Sequence, residues 1–324
     1  MSVLLAVRDL EVGYPRAGGF ALRTGSSASR VDVVHGVSLD VEPGETVAIV
    51  GESGSGKTTL AMALCGLAPV LAGEVRFDGR IVERDANGRL QPDRKRVALM
   101  FQDPVGSLSP RMTVRKLLAE PLLIHRIRAA DPDREALRLL SLVGLGEDFA
   151  NRYPHQLSGG QARRIGVARA LALNPDLLIA DEPTAGLDVS IQGEVLNLLA
   201  RVQREMGLGL LVITHNLNVV RHVADKMAIM YLGRFVEQGD SQQIFDRPRH
   251  PYTAALLSAN PSPDPDAKLD RVQLLGEVPS LLHRPTGCEF RTRCPRAREP
   301  CRVSFPESTR GASNQVFNCF FPME

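Results

Sequence analysis

The chain has 324 residues, enough for one large domain with an appendage or for two domains. Hydrophobic residues make up 44% and charged residues 23%, the balance of a chain with a sizeable buried core. A net charge of only +2 gives no global electrostatic footprint for nucleic acid, and no apolar run approaches the ~18 residues of a membrane span. The first residues, MSVLLAVRDLEV, place Arg8 and Asp9 directly after a short apolar run and lack a basic n-region. They do not read as a signal peptide, so a cytosolic location is expected.

In chain order, Val3–Val12 alternates apolar and polar residues and reads as an edge strand, with Tyr14 just after it. Residues 15–31 are rich in Gly, Ser and Arg and read as a solvated loop. Val37–Val41 and Thr46–Val50 flank the turn Glu42-Pro43-Gly44, an antiparallel patch leading into a buried strand. Gly51 to Thr59, GESGSGKTT, follows at once and fits G-x-x-x-x-G-K-[ST], with Gly51, Gly56, Lys57 and Thr58 in the fixed places. Strand before and helix after are the context a phosphate loop requires. Ser53, Gly54 and Thr59 complete the loop, whose backbone N–H groups would point at phosphate oxygens. The helix N-terminus adds a partial positive charge at the same spot. Lys57 would reach the β- and γ-phosphates, and the Thr58 hydroxyl would take a Mg²⁺ position.

Gly73–Phe77 and Arg80–Val82 suggest a strand pair turning at Asp78-Gly79, and Arg96–Phe101 a further strand ending at Gln102. From Pro104 to about Asn151 the chain becomes Leu-rich with helical spacing, as in Val114, Leu117, Leu118 and Leu122. Pro121 is expected at a break between helices, and Asp131-Pro132 opens another helix with Asp at the N-cap and Pro at the first turn. This section reads as a helical subdomain inserted between two sheet-forming sections. Beyond it, Leu157–Gln161 (LSGGQ) fronts a helix, and Leu177–Asp181 (LLIAD) is a buried strand followed by Glu182. Ile191–Met206 reads as helix, and Leu210–Thr214 as a buried strand ending at His215. Asn216–Ala224 is helical, and Lys226–Tyr231 with Arg234–Gln238 form a hairpin turning at Leu232-Gly233. Buried strands alternating with helices, each ending in a motif residue, describe an α/β sheet with its ligand at the carboxyl ends of the strands.

After Pro248 the composition shifts: a short helix at Ala254–Leu257, a Pro/Asp linker, then a tail rich in Arg, Pro and Cys. Four of the five cysteines, Cys288, Cys294, Cys301 and Cys319, fall in this tail, and Cys65 in the helix after the phosphate loop reads as core. In a reducing compartment such clustering points to a metal or cofactor more than to disulfides.

Taken together, these motifs resemble the ATP-binding subunit of an ABC transporter over residues 1 to about 250. Walker A is Gly51–Thr58, and the Q-loop glutamine is Gln102. The signature is Leu157-Ser158-Gly159-Gly160-Gln161, and Walker B is Leu177–Asp181 followed by Glu182. The D-loop is Ala185-Gly186-Leu187-Asp188, and the switch histidine is His215. The resemblance implies an α/β fold of the ABC P-loop type: a RecA-like core, an antiparallel β patch and the inserted helical subdomain, here about 104–160. Residues 251–324 would form a small C-terminal extension. It implies that Asp181 orders the Mg²⁺ shell, Gln102 also reaches the metal, Glu182 polarises the attacking water and His215 holds the γ-phosphate side. Tyr14 matches the aromatic that stacks on adenine, against the plainer reading that it only packs. Gly186 stands where Ala is commoner in the D-loop, and Ala162-Arg163 departs from the usual run after LSGGQ.

Within that family the resemblance is to peptide and nickel importers, through FQDP followed by SLSPRMTV, DVSIQGEVLNLL, YLGRFVEQG, HPYTAALLSA and the Cys-containing tail. It implies an ATPase that powers import of di- or oligopeptides, peripheral on the cytoplasmic side of the cell membrane. Nickel or another small solute is the alternative cargo, and an exporter ATPase or a soluble ABC protein of translation or DNA repair is a more distant reading. The implied partners are a sister ATPase in a head-to-tail dimer, two membrane permeases and an extracytoplasmic binding protein, with no nucleic acid. In the dimer, Ser158, Gly159, Gly160, Gln161 and Asp188 would complete the facing site. Some members hold a 4Fe–4S cluster in the tail, which needs four thiolates. A zinc site and four reduced thiols are the other readings of these cysteines.

Overall fold

The computed structural model describes residues 3–15, 30–103, 106–127, 131–260, 274, 276–311 and 314–324. They fall into two compact units that are not consecutive in sequence. The first comprises Met1–Leu4, Val41–Thr46 and Pro92–Ile213, and the second comprises Leu5–Asp40, Val47–Gln91 and Thr214–Glu324.

The second unit begins with β1 (Leu5–Pro15), β2 (Arg30–Val41), β3 (Thr46–Val50) and α1 (Lys57–Leu64), then β4 (Val70–Phe77) and β5 (Arg80–Ile81). One sheet has the order β2-β1-β4-β5, with β1 antiparallel to β4 and β4 to β5. This corrects the expectation of an edge strand at Val3–Val12: β1 has a neighbour on each side. Alternation reports that one face is buried and is silent about how many strands flank it. Tyr14 lies inside β1, half-buried. The stretch expected as a loop at 15–31 lies mostly outside the described residues, and β2 starts seven residues before the expected Val37.

The first unit carries β6 (Val97–Met100), α2 (Val114–Ile124), α3 (Pro132–Leu142), α4 (Gly159–Ala170), β7 (Leu177–Asp181), α5 (Val189–Met206) and β8 (Gly209–Thr214). Its three strands run parallel in the order β8-β7-β6. The strands β7 and β8 are buried along their whole length, as parallel strands covered on both faces must be. Asp131 caps α3, its side chain accepting from the Asp133 N–H, and Ala136, Leu139 and Leu140 bury the helix's inner face. Pro121 does not break the chain between helices: it stands inside α2. Its missing N–H and ring clash cost ~3 kcal/mol in a helix interior. Burial of Leu117, Leu118 and Leu122 on both sides of it outweighs that loss.

The second unit resumes with α6 (Leu217–Val223), β9 (Lys226–Tyr231), β10 (Arg234–Asp240), α7 (Ser241–Asp246) and α8 (Pro251–Ser258). It ends with α9 (Pro300–Val303), β11 (Thr309–Arg310) and β12 (Val316–Phe317). Strand β3 pairs in parallel with β9, β9 antiparallel with β10, β10 with β12, and β12 with β11. The tail therefore extends the sheet that leads into the phosphate loop. It also shares that sheet's core: Phe290 packs on Tyr231 and Tyr252, with ring centroids 5.3 Å from each, and Cys288 and Cys301 lie in the same buried cluster as Val50 and Ile229. Among the described residues no helix is long and apolar enough to cross a membrane.

Candidate functional site

The phosphate loop follows β3, whose five residues are all buried, and leads into α1. Gly51 is required by close approach: a Cβ there would stand 2.2 Å from the carbonyl oxygen of Met230 in β9. Gly56 is the N-cap of α1 in the left-handed conformation and offers no side chain, so the first helical N–H groups have no capping oxygen from this residue. Lys57 is buried, and its ammonium folds back into the loop, donating to the carbonyls of Gly51 (2.8 Å) and Glu52 (2.9 Å) and to Ser55 Oγ (3.4 Å). A cation held among three oxygens at a helix N-terminus is poised for phosphate oxygens. Ser53, Gly54 and Thr58 are exposed and Thr59 is half-buried. Gly233 donates its N–H to the Ser55 carbonyl (2.7 Å), which ties the far side of the loop to the β9–β10 turn. His215, exposed just beyond β8, and Tyr14 belong to this same unit.

The first unit holds the other motif residues. Asp181 ends β7 and is 4% exposed. Glu182 adopts φ +48°, a left-handed backbone that costs a non-glycine residue ~1–3 kcal/mol, and such strain concentrates at functional positions. Its N–H donates to the Ile213 carbonyl (2.8 Å), and its own carbonyl accepts from the Ala185 N–H (3.1 Å). Gly186 has φ +72°, which accounts for glycine where alanine is the commoner choice. Asp188 caps α5, accepting from the Ile191 N–H at 3.0 Å, and Val189 beside it is 85% exposed. Ser158 caps α4 in a reciprocal box: its Oγ accepts from the Gln161 N–H (3.3 Å), and its N–H donates to Gln161 Oε1 (3.0 Å). Gly159 is exposed, while Gly160 is buried against Ile191. Gln102 is exposed on the segment after β6.

One residue that spacing did not single out joins these parts. Arg163, buried in α4, donates to the carbonyls of Pro183 (2.6 Å) and Ala185 (2.9 Å), on either side of Thr184 and just past Glu182. Burial lowers its pKa, and Asp103, next to Gln102, opposes that shift. Its only sequence signal was the departure from the usual run after LSGGQ.

The four tail cysteines are free thiols and line one small cavity together with Phe290 and Phe321. Burial pushes Cys288 up to about 12 and Cys319 up to about 11, and raises Cys294; the cysteines also act on one another's charge. Four thiols are the donor set that a four-thiolate centre draws on. Among the described residues, however, no group of three or more His, Cys, Asp or Glu side chains is drawn into a metal-holding arrangement.

A fully buried α/β strand leading into a glycine loop, with a lysine turned into that loop, defines a P-loop nucleotide hydrolase, and LSGGQ at the cap of α4 makes it an ATP-binding cassette. Two family profiles match, "ABC transporter" over residues 34–185 and "Oligopeptide/dipeptide transporter, C-terminal region" over 236–301. The chain is 44% identical to the dipeptide transport ATP-binding protein DppF of Escherichia coli, covering 98% of this chain and 94% of that one. It is 42% identical to the oligopeptide transport ATP-binding protein AppF of Bacillus subtilis, covering 98% and 96%. Among solved structures, cbiO1 from Clostridium perfringens, part of the ABC transporter complex cbiONQ, superposes with a TM-score of 0.64 at 26% identity over 76% of this chain and 92% of that one. The ATP-binding cassette MJ0796, solved as a dimer in a post-hydrolysis state with ADP and Pi, gives 0.60 at 30% identity over 73% and 98%. The chain belongs to the ABC transporter family, as an ATP-binding, ATP-hydrolysing subunit.

Proposed function

We propose that this ATPase powers the import of short peptides through a membrane transporter. The observation that carries this reading is the fusion of the cassette to a segment, 236–301, matched by the oligopeptide/dipeptide transporter region, whose Cys288, Phe290 and Cys301 pack into the same core as Val50 of the strand before the phosphate loop. Full-length likeness to relatives named for dipeptide and oligopeptide transport supports peptide cargo over nickel.

In this reading the loop from Gly51 to Thr59 binds the phosphates of ATP, with Lys57 leaving its carbonyl partners for the β- and γ-oxygens. Thr58, Asp181 and Gln102 would hold the Mg²⁺, which neutralises charge on the transferring phosphoryl group. Glu182 polarises the attacking water, His215 contacts the γ-phosphate side, and Tyr14 stacks on the base. Ser158, Gly159, Gly160, Gln161 and Asp188 serve the site of a facing subunit in a head-to-tail dimer. The exposure of Ser158, Gly159 and Val189 supports that role.

In this reading the permease partner takes the groove of about 200 Å³ lined by Leu99, Phe101, Pro121 and Arg169. Leu123 and Ile124, 65% and 67% exposed at the end of α2, are further apolar side chains of the helical subdomain open to a partner. With permeases bound, the chain is peripheral to the cytoplasmic face of the cell membrane, and an extracytoplasmic binding protein supplies cargo. The convergence of Cys288, Cys294, Cys301 and Cys319 supports a 4Fe–4S cluster in the tail, held by four thiolates, ahead of zinc.

The test is transport. In vesicles carrying the co-expressed permeases and sister ATPase, supplied with the binding protein, labelled di- and oligopeptides should enter on addition of ATP. Glu182→Gln should bind ATP and abolish uptake. Uptake of nickel and not of peptides would replace the cargo assignment.

A further inference from the structure

The second residue of the phosphate loop is held from the far end of the chain. Arg293 donates to both carboxylate oxygens of Glu52, at 2.7 and 3.1 Å, across 241 positions of sequence. The Arg293 side chain is 8% exposed and that of Glu52 27%, so the pair is shielded from screening. Tyr252, fully buried in α8, accepts the Glu52 N–H through its hydroxyl at 3.1 Å. The Glu52 carbonyl accepts from Lys57 Nζ at 2.9 Å. Glu52 is thus gripped at three points: two belong to residues beyond 250, and the third is the lysine aimed at phosphate.

The charges matter as much as the grip. A carboxylate within the loop that receives a polyanion opposes it, and two charges interact strongly where the medium is less polar than water. Arg293 cancels that charge with a bidentate pair, the geometry in which guanidinium is most effective. Glu52 raises the Arg293 pKa in turn, against the effect of burial. Arg293 stands between Cys288 and Cys294, and its neighbour Phe290 is locked against Tyr231 and Tyr252. The order of the tail therefore sets where the guanidinium sits.

We propose that Arg293 is a positioning residue for ATP: it neutralises and immobilises Glu52, and the C-terminal extension thereby sets the affinity of the phosphate loop. The phosphates are bound by the loop itself, and Arg293 acts on them only through Glu52.

ATP affinity of the full chain tests this, measured with a fluorescent ATP analogue and, in the assembled transporter, as the KM for ATP. Arg293→Ala should weaken binding about tenfold, the effect of one uncancelled charge at reduced dielectric. KM should rise by more than kcat falls. Arg293→Gln, which keeps much of the side chain's length and packing, should move in the same direction if the alanine variant does not fold. Adding Glu52→Gln to either variant should restore most of the lost affinity, because the uncancelled carboxylate is then gone. A tail that merely packs predicts the opposite, a double variant no better than the single one. That result, or wild-type affinity in both Arg293 variants while Lys57→Ala abolishes binding, would overturn the proposal.

Discussion

Arg163 Nη1 lies 2.6 Å from the carbonyl oxygen of Pro183, one residue past Glu182. With its second bond to Ala185, it fixes the backbone that carries the strained Glu182. Arg163→Ala leaves two carbonyls without their charged donor, a loss of about 1–3 kcal/mol in stability. The larger effect should fall on turnover. Glu182 would relax toward an ordinary backbone conformation, and misplacing a catalytic group by about 1 Å costs on the order of a hundredfold. ATP affinity should hold within about threefold, since a hundredfold rate loss from positioning does not require lost ground-state contacts. Single-turnover hydrolysis alongside equilibrium ATP binding separates the two, and a parallel loss of both would reject this role.

Gly51→Ala should disable the loop more thoroughly than its size suggests. The new methyl would meet the Met230 carbonyl at 2.2 Å, and neither partner is the free end of a side chain. Either β3 and β9 separate or the loop is displaced, at a cost of about 1–3 kcal/mol for overpacking. The expected result is a lowered Tm together with no measurable ATP binding. A variant that melts normally and binds ATP would show that the strands yield there without cost.

The local motifs were legible because their chemistry lies within a few consecutive residues. The glycine loop, LSGGQ at a helix cap and LLIAD ending in a carboxylate all sit where the pattern put them. What could not be read was pairing at long range. Nothing near Glu52 announces Arg293, and nothing near Pro183 announces Arg163. Likewise β1 shows its buried face by alternation, whereas its second neighbour is a property of β2 and β4. Pro121 misled for another reason: a proline's local cost was legible, and the burial of the leucines around it was not.

If the tail cysteines hold the cluster proposed above, anaerobically purified protein should be brown and carry about four irons and four sulfides per chain. Replacing Cys294 with Ser should remove the colour and loosen residues 276–324, read by proteolysis, because a metal centre staples segments too small to build a full core. Stoichiometric zinc in a colourless preparation would reassign the site, and neither metal would leave four reduced thiols.

His250 makes stability pH-dependent. Its Nδ1 accepts from the Tyr252 N–H at 3.1 Å, capping α8, and the ring is fully buried against Phe290 at a centroid distance of 5.7 Å. Burial lowers its pKa to about 3, so the fold holds the imidazole neutral. Unfolded, the same ring titrates near 6.5, its ordinary value. The unfolded chain therefore takes up a proton that the folded chain refuses as pH falls below that value. The stability His250 provides is complete above pH ~6.5 and declines below it by up to about 1.4 kcal/mol per pH unit. Glu237 acts in the other direction: it accepts the N–H groups of Arg249 and His250, and burial raises its pKa, so it favours the fold on the acid side of its own titration. The opposing contribution of Glu237 runs from its ordinary value of 4.5 up to its raised value in the fold, so it overlaps the window in which His250 acts. The histidine's share is therefore the difference between wild type and a His250 variant, read from urea midpoints between about pH 6.5 and 5. In His250→Asn, which keeps a capping oxygen without the titrating ring, midpoints should hold up better toward low pH than in the wild type, by about one proton's worth of slope. An unchanged slope in that variant would assign the acid sensitivity elsewhere.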